Sequence, residues 1–312
     1  MSKDEILWSQ KYRPKTVADC VLPEDIKKTF QEFVDNATIP SLLLSGSQGC
    51  GKTTVAKALC EEVGVDYIVI NGSDENGIDV LRGKIKSYAS SVSLSGGRKV
   101  VIIDESDYLS QNCMPALRGV MEEFSKNCSF ILTCNYKNRI IEPIHSRCAV
   151  IEFKIPKEEN LKLRSQFFKR VCLILDQESI EYNKEVIAKV VGKYYPDNRR
   201  ILNELQRYGM SGSIDTGILA QVSDIKLTPL VKCLREKNFA DTRKWLSDNE
   251  DIDCNTLFRK FYDHMYDFLV PNSIPHLVLL IAKYQYQSAF VADQQINMMA
   301  LFTEMMIEME FK

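Results

Sequence analysis

The segment GSQGCGKT, Gly46 to Thr53, constrains the fold of this 312-residue chain more than any other stretch. It follows an apolar run, SLLLS at 41–45, and leads into a helix-sized segment, KTTVAKALCEEVG. The pattern G-x-x-x-x-G-K-[ST] between a strand and a helix is that of a phosphate loop in a βαβ unit. Gly46, Gly49 and Gly51 let the backbone turn tightly enough for its N–H groups to face phosphate oxygens, and the helix behind adds its positive end. Lys52 supplies a compact charge for the β- and γ-phosphates, and Thr53 a hydroxyl for a magnesium ion.

Such a loop needs a sheet to hold it, and the chain supplies one. YIVI (67–70), KVVIID (99–104), SFILTC (129–134) and AVIEF (149–153) are short apolar runs bounded by polar or turn residues, which predicts buried strands. Helix-sized segments lie between them, so the class is α/β, with right-handed crossovers and a mainly parallel sheet covered on both faces. The strand signal stops at Pro156, and the charged KEEN that follows marks a boundary. Helical spacing then predicts amphipathic helices near 157–177, 183–195 and 198–209, and helices from about 228 onward. Met298, Met299, Met305, Met306 and Met309 read there as core or subunit-contact filler rather than as a promiscuous binding surface. There are no internal repeats and no low-complexity tracts.

Composition removes several classes. With 45% hydrophobic and 26% charged residues, the chain is neither collagen-like nor disordered. No run approaches the roughly 20 apolar residues of a membrane span, and MSKDEILWSQKYRP has no apolar signal core, which predicts a soluble, intracellular protein. The ten cysteines are scattered without a C-x2-C pair, and the three histidines, His145, His264 and His276, form no ligand-like cluster. Reduced thiols without a structural zinc are expected. Lys plus Arg number 40 against 42 Asp plus Glu, so any case for nucleic acid must come from local patches. Residues 80–99 offer one, with Arg82, Lys84, Lys86, Arg98 and Lys99 and no acidic residue. The stripe is either a solvated helix face or a contact for a phosphate backbone.

Acidic and amide groups at strand ends complete the chemistry. In KVVIIDESD, Asp104 stands where ligands of open α/β sheets bind and suits the magnesium shell; Glu105 is the candidate general base for an attacking water. Asn135, after SFILTC, suits a hydrogen bond to the γ-phosphate or the water, or simply a turn. Arg147 in HSRC and Arg199 and Arg200 in PDNRR are natural stabilisers of charge on a transferring phosphoryl group, or solvated side chains.

In this order the motifs resemble those of the AAA+ ATPases, and within them the small ATPase subunit of sliding-clamp loaders of the T-even-type phage and replication factor C kind. WSQKYRPKTVADCV, GSQGCGKTT, INGSD (70–74), DESD (104–107), the Asn135 strand end, SRC (146–148) and PDNRR (196–200) carry the resemblance over about the first two thirds of the chain. It implies an AAA+ P-loop ATPase domain at 1–156, a helical lid at 157–224 and an all-helical collar at 225–312. Ser9, Gln10, Lys11, Tyr12 and Val21 would line the adenine and ribose pocket. Gly49, Cys50, Gly51, Lys52, Thr53 and Thr54 would hold the phosphates of ATP and Mg2+, with Thr53 and Asp104 as the metal residues. Asn135 would be the first sensor, Arg199 the second, and Arg147 an arginine finger acting in trans on a neighbouring subunit's ATP. Asn71 would hold the catalytic Glu105 away until DNA binds. Arg82, Lys84 and Lys86 would follow the backbone of primer-template DNA.

The partners implied are other loader subunits in a ring-like pentamer, a sliding clamp and primed DNA, with no membrane, in the cytoplasm. The activity implied is ATP-driven opening and loading of the clamp, with hydrolysis releasing it. Another AAA+ DNA motor and a non-hydrolysing structural subunit of the same assembly are the other readings. The chain departs from related loaders at Met114, where a glutamine is common, and at Pro115; Arg118 still fits an interface arginine.

Overall fold

The computed structural model describes residues 7–74, 77–91, 97–110, 112–210, 212–215, 218, 227–249 and 253–312. The chain divides into two compact units, Met1–Ser223 and Asp224–Lys312.

The first unit is built on five parallel strands: β1 (Leu42–Gly46), β2 (Tyr67–Asn71), β3 (Lys99–Asp104), β4 (Cys128–Cys134) and β5 (Ala149–Phe153), in the order β2-β3-β4-β1-β5. Side chains on a strand alternate between faces, and the core divides accordingly. Leu42, Leu44, Val100, Ile102 and Ile131 pack with Phe30 of α2 (Glu24–Asp35) and with Val55 and Leu59 of α3 (Lys52–Val63). Leu43, Val101, Ile103, Phe130 and Leu132 pack on the other face with Leu81 and Ile85 of α4 (Ile78–Ser90) and Leu117 and Met121 of α5 (Cys113–Glu123). Each fully buried leucine or isoleucine here contributes on the order of 1.5–3 kcal/mol. The five runs form strands, but only β4 is buried throughout, and β1 and β3 up to their last, half-buried residues. At the edges Val69 of β2 is 40% and Val150 of β5 42% exposed. An apolar run alone does not distinguish a central strand from an edge.

A short N-terminal helix, α1 (Trp8–Lys11), precedes this sheet; α6 (Glu142–His145) leads into β5. After β5 come α7 (Asn160–Gln177), α8 (Lys184–Tyr194) and α9 (Asn198–Gly209), close to the segments expected from spacing. A small parallel pair that the helical pattern hides, β6 (Glu181–Tyr182) with β7 (Ser213–Ile214), also lies here. Trp8 is buried among Leu175, Ile187, Leu202 and Leu205 of these helices, which fastens the N-terminal segment to them.

The second unit contains α10 (Leu227–Arg235), α11 (Phe239–Ser247), α12 (Cys254–Phe268), α13 (Ile274–Ser288) and α14 (Gln294–Glu308). Phe261 lies 5.8 Å from Phe268 and 5.9 Å from Phe302, ring centre to ring centre, and Met298, Met305, Met306 and Met309 are buried around them. These methionines fill the core. All ten cysteines are free thiols, and no helix among the described residues is long and apolar enough to cross a membrane.

Candidate nucleotide site

Strand order brings the chemistry together. Because β4 lies between β1 and β3, their C-terminal ends sit side by side at one edge of the parallel sheet, where ligands of such sheets bind. An open cleft of about 1040 Å³, mouth included, lies there; its lining includes Gly49, Cys50, Gly51, Lys52, Thr53, Thr54, Asp104, Glu105, Asn135 and Arg199.

The phosphate loop depends on two positive φ angles, +72° at Gly49 and +99° at Gly51, which other residues adopt only at a cost. Gly49 is doubly required, since a Cβ there would stand 1.9 Å from Oδ1 of Asp197. In return, its carbonyl accepts the N–H of Asn198 at 3.1 Å, so the loop and the start of α9 are packed backbone to backbone. Gly49→Ala is therefore expected to lower the unfolding free energy by about 1–3 kcal/mol through strain and clash and to weaken nucleotide binding. Denaturant titration with and without ATP measures both.

Lys52 is buried, and its ammonium donates to the carbonyls of Gly46 (2.9 Å) and Ser47 (2.8 Å) and to Oδ1 of Asn135 (2.9 Å). Asn135 is thus more than a plain turn residue: its Oδ1 accepts from and steadies Lys52. Asp107 braces this strand end, its Oδ2 accepting the N–H groups of Asn135 (3.1 Å) and Tyr136 (3.0 Å). Nothing in DESD distinguishes Asp107 from a solvated acid; its burial does.

Asp104 and Thr53 meet on the cleft floor. Oδ1 of Asp104 accepts from Thr53 Oγ1 at 2.6 Å and from Thr133 Oγ1 at 2.5 Å. A threonine hydroxyl beside a carboxylate is a hard-oxygen pair of the kind Mg2+ takes when phosphates and waters complete its shell. No group of three His, Cys, Asp or Glu side chains among the described residues could hold a metal by itself, so phosphate oxygens would have to contribute. Glu105 follows in the left-handed region, φ +54°, held by its N–H to Thr133 Oγ1 at 3.0 Å. For a non-glycine residue this conformation costs on the order of 1–3 kcal/mol, a cost that proteins tolerate at functional sites. Asn71 is paired with Asp104 across β2 and β3, but its side chain hydrogen-bonds Ser73 (2.9 Å) and Asp74 (2.7 Å).

The apolar end of the cleft includes Val21, Leu22, Phe167 and Leu202, with Ser9 and Tyr12 beside them. Gln10 and Lys11, expected here, do not line it. Gln10 is exposed, and Lys11 pairs with Glu178 at 2.6 Å. Tyr12 OH donates to the same carboxylate at 2.5 Å, and the two bonds hold Glu178 below the usual carboxylate range. Short spacing could not show that successive residues of a single helical turn face different ways.

The two arginines of PDNRR separate. Both stand in the first turn of α9, capped by Asp197, where a cation opposes the helix dipole by about 0.3–1 kcal/mol. Arg200 stacks on Tyr194, 4.4 Å from its ring centre; Arg199 lines the cleft. Arg147 does not line this chain's cleft. It bonds the Pro143 carbonyl at 2.6 Å and Glu122, which also pairs with Arg118 at 3.3 Å; these bonds, Arg118 foremost, hold Glu122 below the usual carboxylate range.

The basic stripe is shorter than its sequence suggests. Arg82, Lys84 and Lys86 are exposed on α4. Lys99 is buried, donating to the carbonyl of Tyr88 at 2.8 Å and to Ser91, and Arg98 donates to the carbonyls of Ser125 and Cys128. Both serve the fold. Met114 is buried in the sheet-facing core, while Pro115 stands in the first turn of α5, where its missing N–H breaks no helical bond.

The fold and the cleft define an AAA ATPase. The family model of ATPases associated with various cellular activities matches residues 42–155, and that of the AAA+ ATPase lid domain of the sliding-clamp-loader large subunit matches 159–220. The chain is 34% identical to the sliding-clamp-loader large subunit of Enterobacteria phage T4, over 100% of this chain and 99% of the relative. It is 35% identical to the replication factor C small subunit of Archaeoglobus fulgidus, over 77% of each. Among solved structures, a RuvB variant from Thermotoga maritima shares the fold, with a TM-score of 0.55 and 18% identity over 93% of this chain and 89% of that one. The chain belongs to the family of sliding-clamp-loader ATPase subunits.

Proposed function

We propose that this ATPase opens a ring-shaped sliding clamp and loads it onto primer-template DNA, and that ATP hydrolysis releases the closed clamp. The observation that carries the site reading is the convergence of Lys52, Thr53, Asp104, Glu105 and Arg199 on one cleft while Arg147 stays outside it.

Ser9, Tyr12 and Val21 would border the base, and the loop from Gly49 to Thr54 would cradle the triphosphate with its N–H groups and the Lys52 ammonium. Thr53 and Asp104 would hold Mg2+, which when bound neutralises charge on the β- and γ-phosphates. Glu105 would take a proton from the attacking water, and Asn135 would hold Lys52 in place. Arg199 would respond to the γ-phosphate from α9. Arg147, outside its own cleft, would complete a neighbour's, so activity requires assembly. Asn71, hydrogen-bonded to Ser73 and Asp74 here, would switch to Glu105 when DNA is absent from the assembled loader.

Arg82, Lys84 and Lys86, exposed on α4, suit sequence-independent contacts with DNA phosphates. Partners would be further copies of this chain and a distinct subunit in a pentameric ring, acting in the cytoplasm. The division into an ATPase domain (1–156), a lid (157–224) and a helical collar (225–312) belongs to the same proposal. It is supported by family matches that end at 155 and 220 and by a separate compact unit from Asp224.

Steady-state ATP hydrolysis by the chain co-purified with its associated subunits, with and without primed DNA and the clamp from the same source, tests the function. Strong stimulation that needs both is expected. Hydrolysis driven by DNA alone and indifferent to the clamp would point to a DNA motor instead.

A further inference from the structure

The peptide between Asp104 and Glu105 is held at both ends. Its carbonyl accepts the N–H of Gly72 at 2.7 Å, and its N–H donates to Thr133 Oγ1 at 3.0 Å. This is the peptide whose orientation sets the φ of Glu105, +54°. There is no slack on the β2 side, since a Cβ on Gly72 would stand 2.7 Å from the Glu105 carbonyl oxygen. On the β4 side a single residue does the holding. Thr133 is 1% exposed and bonds three consecutive residues of the DESD segment: Asp104 and Glu105 through its hydroxyl, and Ser106, whose Oγ donates to the Thr133 carbonyl at 2.7 Å.

Chemistry fixes the direction of each bond. A backbone N–H can only donate, so a lone pair of the Thr133 hydroxyl faces Glu105, and the one hydroxyl proton is left for Asp104 Oδ1, 2.5 Å away. The position asks two things of its side chain: a hydroxyl for these bonds and a branched shape for packing in the strand. Valine supplies only the shape, serine only the hydroxyl. A left-handed φ at a non-glycine residue persists only where its surroundings hold it. Without the Thr133 bond the peptide is free to turn, and it would carry the Glu105 carboxylate away from its place in the cleft.

We infer that Thr133 is a positioning residue for hydrolysis: its hydroxyl holds the Asp104–Glu105 peptide in the orientation that keeps the Glu105 carboxylate at the cleft. The inference rests on the reading of Glu105 as the general base. Two residues further along the same strand end, Asn135 holds Lys52 at 2.9 Å. The end of β4 thus places a phosphate-binding charge and the general base together.

The test uses the assembled loader with primed DNA and the clamp from the same source, carrying Thr133→Val or Thr133→Ser. Turnover at saturating ATP and equilibrium ATP affinity are measured for each. Thr133→Val should lower kcat by about 10- to 100-fold, the scale of misplacing a catalytic group by about 1 Å, with ATP affinity within a few-fold of the parent. Thr133→Ser should regain most of the rate. In a Glu105→Gln background, Thr133→Val should cost at most a few-fold more, because the group it positions is already gone. A residue that serves packing alone gives the opposite order, with Thr133→Val like the parent and Thr133→Ser impaired, and that order would overturn the inference. So would a loss in the Glu105→Gln background as large as in the parent, or a fall in ATP affinity with kcat unchanged. Parent-like turnover in Glu105→Gln itself is a different result, and would sink the reading of the general base together with the inference.

Discussion

Glu105→Gln should lower ATP turnover by about 10²- to 10⁴-fold while leaving ATP affinity within a few-fold of the parent, the range over which a positioned general base accelerates proton transfer. The substitution preserves size and hydrogen bonding but removes the oxygen that accepts the proton. It leaves the phosphate-binding residues untouched, because Glu105 is held by its backbone: its N–H bonds Thr133 Oγ1 at 3.0 Å, and its carbonyl accepts the N–H of Tyr108 at 3.0 Å. Steady-state kinetics of the assembled loader with primed DNA and clamp, beside equilibrium ATP binding, separate chemistry from affinity. Turnover above a tenth of the parent rate would show that another group takes the proton.

Arg147→Ala should cost at least as much, about 10³-fold or more in turnover, the scale on which arginine fingers act. Its effect, unlike that of Glu105→Gln, depends on the neighbour. The side chain is outside its own cleft and held at the surface by Glu122 and the Pro143 carbonyl. In a mixed assembly, an Arg147→Ala chain keeps an intact Glu105, and an adjoining Glu105→Gln chain keeps an intact Arg147. Sites formed in that order are whole, so mixing two inactive proteins should restore part of the activity. No recovery in assemblies shown to contain both chains would mean that Arg147 does not work in trans.

Much of the architecture is legible before any coordinates. Apolar runs at the observed positions of β1 to β5, and a glycine-rich turn leading into α3, fall where backbone geometry alone demands them. What was not legible is informative. Gln10 and Lys11 belong to the same short helix as Ser9 yet face away from the cleft, and Lys11 reaches Glu178, which is far along the chain. Arg98 and Lys99 extend a basic run in sequence but end up bonded to carbonyls within the fold. Arg199 and Arg200 are identical in type and adjacent, and one faces the cleft while the other covers a tyrosine ring. Asp107 carries no distinguishing neighbours in the chain, and only burial marks it.

The division has a physical basis. Strand alternation, helix periodicity and the positive φ angles of a phosphate loop are properties of a few consecutive residues, so they are written in consecutive letters: Leu42 and Leu44 face one layer and Leu43 the other because successive side chains on a strand must diverge. The meeting of Thr53, Asp104 and Thr133 within 2.6 Å depends instead on β4 inserting between β1 and β3. That order is settled by packing both faces of the sheet at once, a competition among contacts distant in sequence. Whether an arginine becomes a ligand, a brace or a finger is decided at the same level, by the partners that the finished fold leaves within its reach.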